Sequence, residues 1–253
     1  MKSRQLVRFH ENLSDLNTNY SHFLFIAEEF ANQSKGILDK YPEGTEIKDV
    51  FKDNPYASQF NVKVGLLDFE LENTKQFILR GLFLLSYFQY EVYLRDIYNY
   101  LKLSISNLPE LSPKVAVNTQ ITNNLGLESL DPDERDTMEY LKLRRNALVH
   151  RDSTRVSQGE LLDIVKQKGK ALNTYWEKRS QSKKEPTITS LDFTEKGEEL
   201  YHLRDREVID MLNIIRRLSE RVDEYMLSKI DPKKFRDTIR EDFEKTYDNN
   251  FWC

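Results

Sequence analysis

Residues 6–30 read LVRFHENLSDLNTNYSHFLFIAEEF, and their apolar side chains decide the fold class. Counted from Leu6, the apolar positions recur at alternating steps of three and four residues as far as Phe30, and Ile37 returns to the same stripe. Only an α-helix places such a series on one side. We therefore predict one long helix over residues 6–37 as part of a bundle. The alternative interpretation of the stripe is the seam of a coiled coil.

The same periodicity and capping signals predict an all-α fold, an elongated helical bundle, whose further helices cover residues 64–103, 131–150, 157–179, 208–225 and 231–243. The helix over 64–103 is apolar on most sides and should be central, with Gly81 marking a close helix contact. The polar stretch 104–130 is either a functional excursion or mobile. A β-like run, residues 187–193, adds at most a small hairpin or lone strand.

Composition narrows the class of protein. Only 8 glycines and 7 prolines occur in 253 residues, which argues against a β-sandwich or barrel with its frequent turns. The single cysteine, Cys253, excludes a disulfide within the chain and fits a reducing compartment. Neither a signal peptide nor an apolar stretch of membrane-spanning length is present, so we expect a cytoplasmic protein without membrane contact.

Most catalytic chemistries have no motif in this chain. Neither of the glycine-rich loops that cradle nucleotide phosphates occurs, and no nucleophile elbow is present. The four histidines are isolated from one another, and no cysteine pair exists, so the usual zinc sites are not indicated. We expect no metal and no cofactor.

One segment breaks its own hydrophobic pattern. On the helix that Asp131 begins, Met138, Leu141 and Leu148 share a stripe, and Arg145 occupies the step between them where an apolar side chain is expected. An arginine is almost never buried unpaired. Arg145 therefore either reaches solvent, pairs with an acid on the central helix, or serves function.

Polar residues cluster around this arginine. Asn146 and His150 share one face of the helix by their i, i+4 spacing, and Arg144, Arg151 and Arg155 edge the group. His150 could equally cap the last carbonyls of the helix. The stretch 142–184 is strongly basic although the chain has a net charge of −4, which is typical of a local polyanion-binding surface or of a solvated basic face.

The stretch LRRNALVH, residues 143–150, resembles the R-x4-6-H signature of the HEPN superfamily in its R-N-x-x-x-H form. The resemblance covers about residues 64–228 and implies a core of four to five helices. Many HEPN proteins are metal-independent endoribonucleases of toxin–antitoxin, abortive-infection and CRISPR-associated systems. The resemblance thus implies an RNase of a toxin or antiphage-defence type.

By this resemblance Arg145 and His150 occupy the two catalytic positions, and Asn146 is the polar residue that often follows the arginine. Some members add an acid and a base on the preceding helix at E-x-x-x-[KR] spacing, which Glu91 and Arg95 match. An i, i+4 ion pair on the helix surface is the other explanation for these two residues. The neighbouring Arg144 and Arg151 are expected to support substrate binding.

The implied reaction is attack by the 2′-hydroxyl of RNA on the adjacent phosphate, which leaves a 2′,3′-cyclic phosphate. His150 would act as general base or general acid, since an imidazole titrates near neutrality. Arg145 would stabilise the charge on the phosphorane oxygens. Because one histidine cannot be acid and base in the same step, the resemblance implies a homodimer with one shared cleft.

The expected organisation has three parts. Residues 1–62 form an N-terminal helix and a connecting loop that packs on the core, residues 63–230 form the HEPN-like domain, and residues 231–253 form a C-terminal helix and tail. The expected partners are RNA, with tRNA among the substrates, a second copy, and an antitoxin or regulatory protein.

Two other hypotheses stay open. The first is a non-catalytic HEPN-like module that binds RNA, a nucleotide or a partner. The second is a coiled-coil dimer built from the stripes over 6–37 and 208–225, with the motif a coincidence.

Overall fold

The computed structural model describes residues 2–105, 107–125, 130–149, 155–180, 193, 202–233 and 236. Within these residues the chain is all-α, as predicted, and its only extended pairing is an isolated bridge between Glu46 and Lys63. Seven helices are present there: α1 Arg4–Leu38, α2 Ile47–Val50, α3 Leu67–Lys102, α4 Val117–Leu125, α5 Pro132–Val149, α6 Arg155–Ser180 and α7 Asp205–Ser228.

The first half of helix α1 packs through the stripe that the sequence indicates. Leu6, Phe9 and Leu13 are buried in the same core as the apolar stripe of α7. The start of α1 is fixed because the Ser3 hydroxyl accepts a hydrogen bond from the Leu6 amide at 3.0 Å, while the Ser3 amide donates to Asp223 on α7 at 2.9 Å. The long-helix prediction is confirmed. The coiled-coil alternative stays a hypothesis, since the first part of the α1 stripe is buried inside the chain whereas Phe30 and Ile37 of the same stripe are exposed.

Helix α3 is central, as predicted, and packs against α1, α4, α5 and α7. The ring of Phe9 stacks on Tyr93 of α3 with centroids 5.1 Å apart. The other side of α3 is open, however, because Phe77, Leu85 and Phe88 are all more than half exposed. The predicted close helix contact at Gly81 is wrong, since a Cβ at this position would meet no atom within 4 Å.

The stretch 104–130 contains a helix that its polar composition concealed. Helix α4 lies within it and buries Val117 and Ile121. The Tyr98 hydroxyl donates to the Pro109 carbonyl at 2.8 Å, and the Tyr225 hydroxyl donates to the Leu125 carbonyl at 2.8 Å. The described part of this stretch is therefore packed on α3 and α7.

Two predicted elements fall mainly outside the described residues. Of the β-like run 187–193, only Phe193 is described, and its ring lies edge-on to Tyr140 with centroids 4.8 Å apart. The predicted helix over 231–243 is described only at its first residues and at Arg236. Among the described helices, none is long and apolar enough to cross a bilayer.

Candidate functional site

Helix α5 carries the motif, and it begins where the capping signal predicts. The Asp131 carboxylate accepts a hydrogen bond from the Asp133 amide at 2.9 Å, and Pro132 takes the first helical position. Both features satisfy or remove amides that would otherwise lack a partner at a helix start. The helix then runs to Val149, so Arg145 and Asn146 lie in its last turns.

Arg145 is held by three groups. Its Nη2 lies 2.8 Å from Oε1 of Glu91 on α3, and its Nη1 donates to Oδ1 of Asn146 at 2.9 Å. Its guanidinium carbon stands 5.2 Å from the centroid of the Tyr87 ring, a cation–π contact. The interpretation that Arg145 pairs with an acid on the central helix is therefore confirmed, and Glu91, Arg145 and Asn146 are brought together as one cluster.

The Arg145 guanidinium can still donate hydrogen bonds to another group in this position. The side chain of Arg145 is 27% exposed, and that of Glu91 is 19% exposed. A guanidinium has about five N–H donors, so the two bonds to Glu91 and Asn146 leave about three for another acceptor. An anion approaching from solvent would therefore find an arginine already fixed in orientation.

The ring of Tyr87 packs against the guanidinium of Arg145. Its side chain is buried, and its hydroxyl oxygen has no hydrogen-bond partner among the described residues. Burial raises the pKa of the Tyr87 phenol well above its usual value, and the nearby Glu91 carboxylate acts in the same direction. The ring therefore stays neutral and presents a constant face to the guanidinium.

Arg144 does not lie at the exposed margin of this cluster, where the sequence predicts it. It is only 2% exposed, and its Nη2 lies 2.9 Å from Oε1 of Glu207 on α7. Its Nη1 donates to the Tyr140 hydroxyl at 2.5 Å. A guanidinium enclosed in this way cannot bind substrate from solvent, so the predicted substrate-binding role for Arg144 is wrong. The residue ties α5 to α7 instead.

The remaining predicted residues have different outcomes. Arg95 is exposed on α3, one turn after Glu91, whose carboxylate bonds to Arg145. His150 and Arg151 lie outside the described residues, as does the side chain of Arg155. The proposed roles of His150 and Arg151 therefore stay predictions.

The basic stretch 142–184 is partly neutralised by acids from elsewhere in the chain. Besides the pairs of Arg144 and Arg145, three of its cations form ion pairs with acids on α5: Lys142 with Glu139 at 2.5 Å, Lys168 with Asp136 at 3.3 Å, and Arg179 with Glu134 at 3.4 Å. Glu134 is 1% exposed and also lies 3.4 Å from Arg221. Much of the positive charge that the sequence places here is therefore engaged within the fold.

Sequence reasoning missed the partners that other helices bring to these arginines. Glu207 on α7 and Tyr87 on α3 share no motif with Arg144 or Arg145, and spacing along the chain gives no signal for such pairs. Tyr140 precedes Arg144 by four residues on α5, which is the spacing of neighbours on one helix face and could have indicated their contact.

Exposed apolar side chains flank the Arg145–Glu91 pair. Leu85 and Phe88 on α3 lie within two turns before Glu91, and Val149 lies one turn after Arg145 on α5. All three are more than half exposed. Apolar patches of this kind are common at interaction surfaces.

Comparison with known proteins does not extend this description. No protein-family model matches the chain, and searches of curated proteins and of solved structures return no match.

Proposed function

We propose that this protein is a metal-independent endoribonuclease. The observation that supports the proposal best is the arrangement of Arg145, which is held by Glu91 and Asn146 at the end of α5 and keeps free N–H donors toward solvent. An arginine fixed before substrate arrives can stabilise developing phosphorane charge without reorganising. In the sequence, His150 follows Arg145 by five residues.

The proposed reaction uses the substrate as its own nucleophile. The 2′-hydroxyl of one ribose attacks the adjacent phosphorus, the bond to the 5′-oxygen breaks, and the ends become a 2′,3′-cyclic phosphate and a 5′-hydroxyl. His150 takes the proton from the 2′-hydroxyl or donates one to the leaving 5′-oxygen. Arg145 donates to the non-bridging oxygens, and the Asn146 amide nitrogen, whose oxygen is engaged by Arg145, orients the phosphate.

We also propose that the active unit is a dimer. One His150 per chain supplies only one of the two proton transfers, so a second chain is needed to complete the site. The exposed Leu85, Phe88 and Val149 beside the Arg145–Glu91 pair provide an apolar surface on which two copies can meet. The biological setting that fits such an enzyme is a toxin or antiphage effector in the cytoplasm, controlled by an antitoxin or another regulatory protein.

The test is cleavage of total RNA and tRNA by the purified protein, with and without EDTA, followed by analysis of the fragment ends. Wild-type protein should give 2′,3′-cyclic phosphate ends that EDTA does not affect. Arg145→Ala and His150→Ala should each lower the cleavage rate by about 100-fold or more, as expected for loss of an electrostatic or acid–base group. The matched control is Arg206→Ala, which removes an exposed arginine from α7.

Two results would contradict the proposal. The first is activity that EDTA abolishes, and the second is activity that the Arg145 and His150 variants retain. Circular dichroism of each variant establishes that folding is intact, which the partial exposure of Arg145 leads us to expect.

A non-catalytic RNA-binding module is the second candidate, and the Glu91 carboxylate favours it. At 2.8 Å from Arg145, Glu91 neutralises much of the charge that would otherwise attract a phosphate. Glu91→Gln separates the two candidates. If Glu91 positions a catalytic arginine, the variant should cleave more slowly, whereas in a binding module it should bind RNA more tightly and cleave nothing.

A further inference from the structure

Exposed positive charge also lies on α1, outside the basic stretch 142–184. Arg4 and Arg8 are exposed, and no carboxylate of the described residues lies within ion-pair distance of either guanidinium. Arg144 and Arg145, by contrast, already pair with acids. A polyanion that approaches this side of the molecule would therefore be held by Arg4 and Arg8.

The first turn of α1 contains no acidic residue and places Arg4 at the positive end of the helix dipole. A cation at this position is electrostatically unfavourable for the helix itself. Because the Asp223 carboxylate already accepts from the Ser3 amide at this helix start, the attraction for an added anion comes from the two guanidinium groups.

These two arginines line a cleft of about 580 Å³ between the start of α1 and the end of α3. The volume lies within the range of small-ligand sites. Its other polar groups are Gln5, Asp96, Asn99 and Tyr100.

The donor and acceptor set of this cleft is that of a nucleotide site. Guanidinium groups bind phosphate oxygens, and amides read the edges of bases that are not paired. An aromatic ring supports base stacking. The Asp96 carboxylate disfavours a bare phosphate but can accept from a base amino group or a ribose hydroxyl. The combination favours a nucleotide of a single strand over a simple anion.

The cleft also adjoins the row of α3 side chains that contains Glu91, since Glu91, Arg95 and Asn99 follow one another at i, i+4 spacing and turn by about 80° round the helix in all. Asn99 follows Glu91 by eight residues on α3, which corresponds to about 12 Å along the helix axis. Arg95 is exposed between them. A short stretch of nucleotide chain can therefore contact both places, with Arg95 on its path.

We infer that the cleft formed by Arg4, Arg8, Asn99 and Tyr100 binds single-stranded RNA beside the cleavage site. This inference names the substrate class of the proposed ribonuclease and rests on that proposal for its biological role. The binding itself is a separate property, so it can be measured without cleavage.

The test measures binding of a fluorescent single-stranded oligonucleotide with 2′-O-methyl riboses, which cannot attack its own phosphates. We expect the double variant Arg4→Gln, Arg8→Gln to bind about tenfold more weakly or worse. We also expect its slope of log K against log salt to fall by about 0.7 for each phosphate that the variant no longer neutralises. The matched control is Lys35→Gln, Lys40→Gln, which makes the same charge change at the other end of α1, about 40 Å from Arg8.

The outcomes separate the two proposals. Unchanged binding by the arginine variant, equal weakening by the lysine control, or displacement of the oligonucleotide by a mononucleotide at similar concentration would overturn the RNA cleft. If wild-type protein cleaves nothing but the arginine variant binds more weakly, the cleft stands and the ribonuclease proposal fails. If cleavage occurs and the arginine variant leaves both binding and cleavage unchanged, the ribonuclease stands and the cleft fails.

Discussion

At the scale of single residues, the adjacent arginines Arg144 and Arg145 have opposite roles. Periodicity placed Arg145 on the stripe with Met138 and Leu141, and the structure leaves it at the margin of that stripe, partly exposed. Arg144 is the one enclosed, since α7 brings Glu207 to it. Neighbouring residues on a helix point about 100° apart, so which of the two is buried depends on where the next helix packs. The sequence of α5 alone does not contain that information.

The buried Arg144–Glu207 pair leads to a prediction about stability. Arg144→Met should destabilise the protein by about 3–5 kcal/mol, because it leaves the Glu207 carboxylate buried without its cation. The double variant Arg144→Met, Glu207→Leu should recover much of this loss, since neither charge then remains in the core. Urea denaturation of both variants checks the prediction. A single variant as stable as the wild type would show that the pair is not enclosed.

At the scale of elements, capping signals and long periodic stripes predicted α1, α5 and α7 close to their observed bounds. Helix α4 was missed because VNTQITNNL is short and polar, and its helical state depends on burial of Val117 and Ile121 against the core. For the outer face of α3 the sequence predicts more burial than the structure shows. Apolar residues surround that helix in sequence, whereas packing covers only one side of it.

Two glycines on helices give a matched test of how closely each element is packed. Gly81→Ala on α3 should stabilise the protein by up to about 1 kcal/mol, because the new methyl group meets no atom within 4 Å and alanine favours the helix. Gly169→Ala on α6 should destabilise it, because the methyl carbon would lie 2.0 Å from the Phe193 carbonyl oxygen. Thermal unfolding of the two variants should therefore move in opposite directions. Equal shifts would contradict the packing described for α6.

At the scale of the whole molecule, the open face of α3 bears on how many chains form the active unit. The sequence could suggest a dimer only through the resemblance, since no pattern distinguishes a buried helix face from an interface between copies. The structure adds one observation that is compatible with the proposed dimer, because Leu85 and Phe88 are exposed on the helix that carries Glu91. Under the proposed mechanism, this apolar surface is where a second copy would supply the other proton-transfer group.

Replacing Leu85 and Phe88 with serine should therefore dissociate the proposed dimer. A two-fold interface buries each residue twice, and each side chain contributes about 1.5 kcal/mol or more. The double variant Leu85→Ser, Phe88→Ser should therefore weaken the free energy of dimer association by about 6 kcal/mol, which raises the dissociation constant by roughly four powers of ten. Light scattering should show two copies for the wild type and one for this variant, with cleavage abolished in parallel. The control variant Phe25→Ser, Ile26→Ser replaces two α1 side chains of similar exposure, and it should leave the number of copies and the cleavage rate unchanged. A wild type that is monomeric yet cleaves RNA would exclude the shared site.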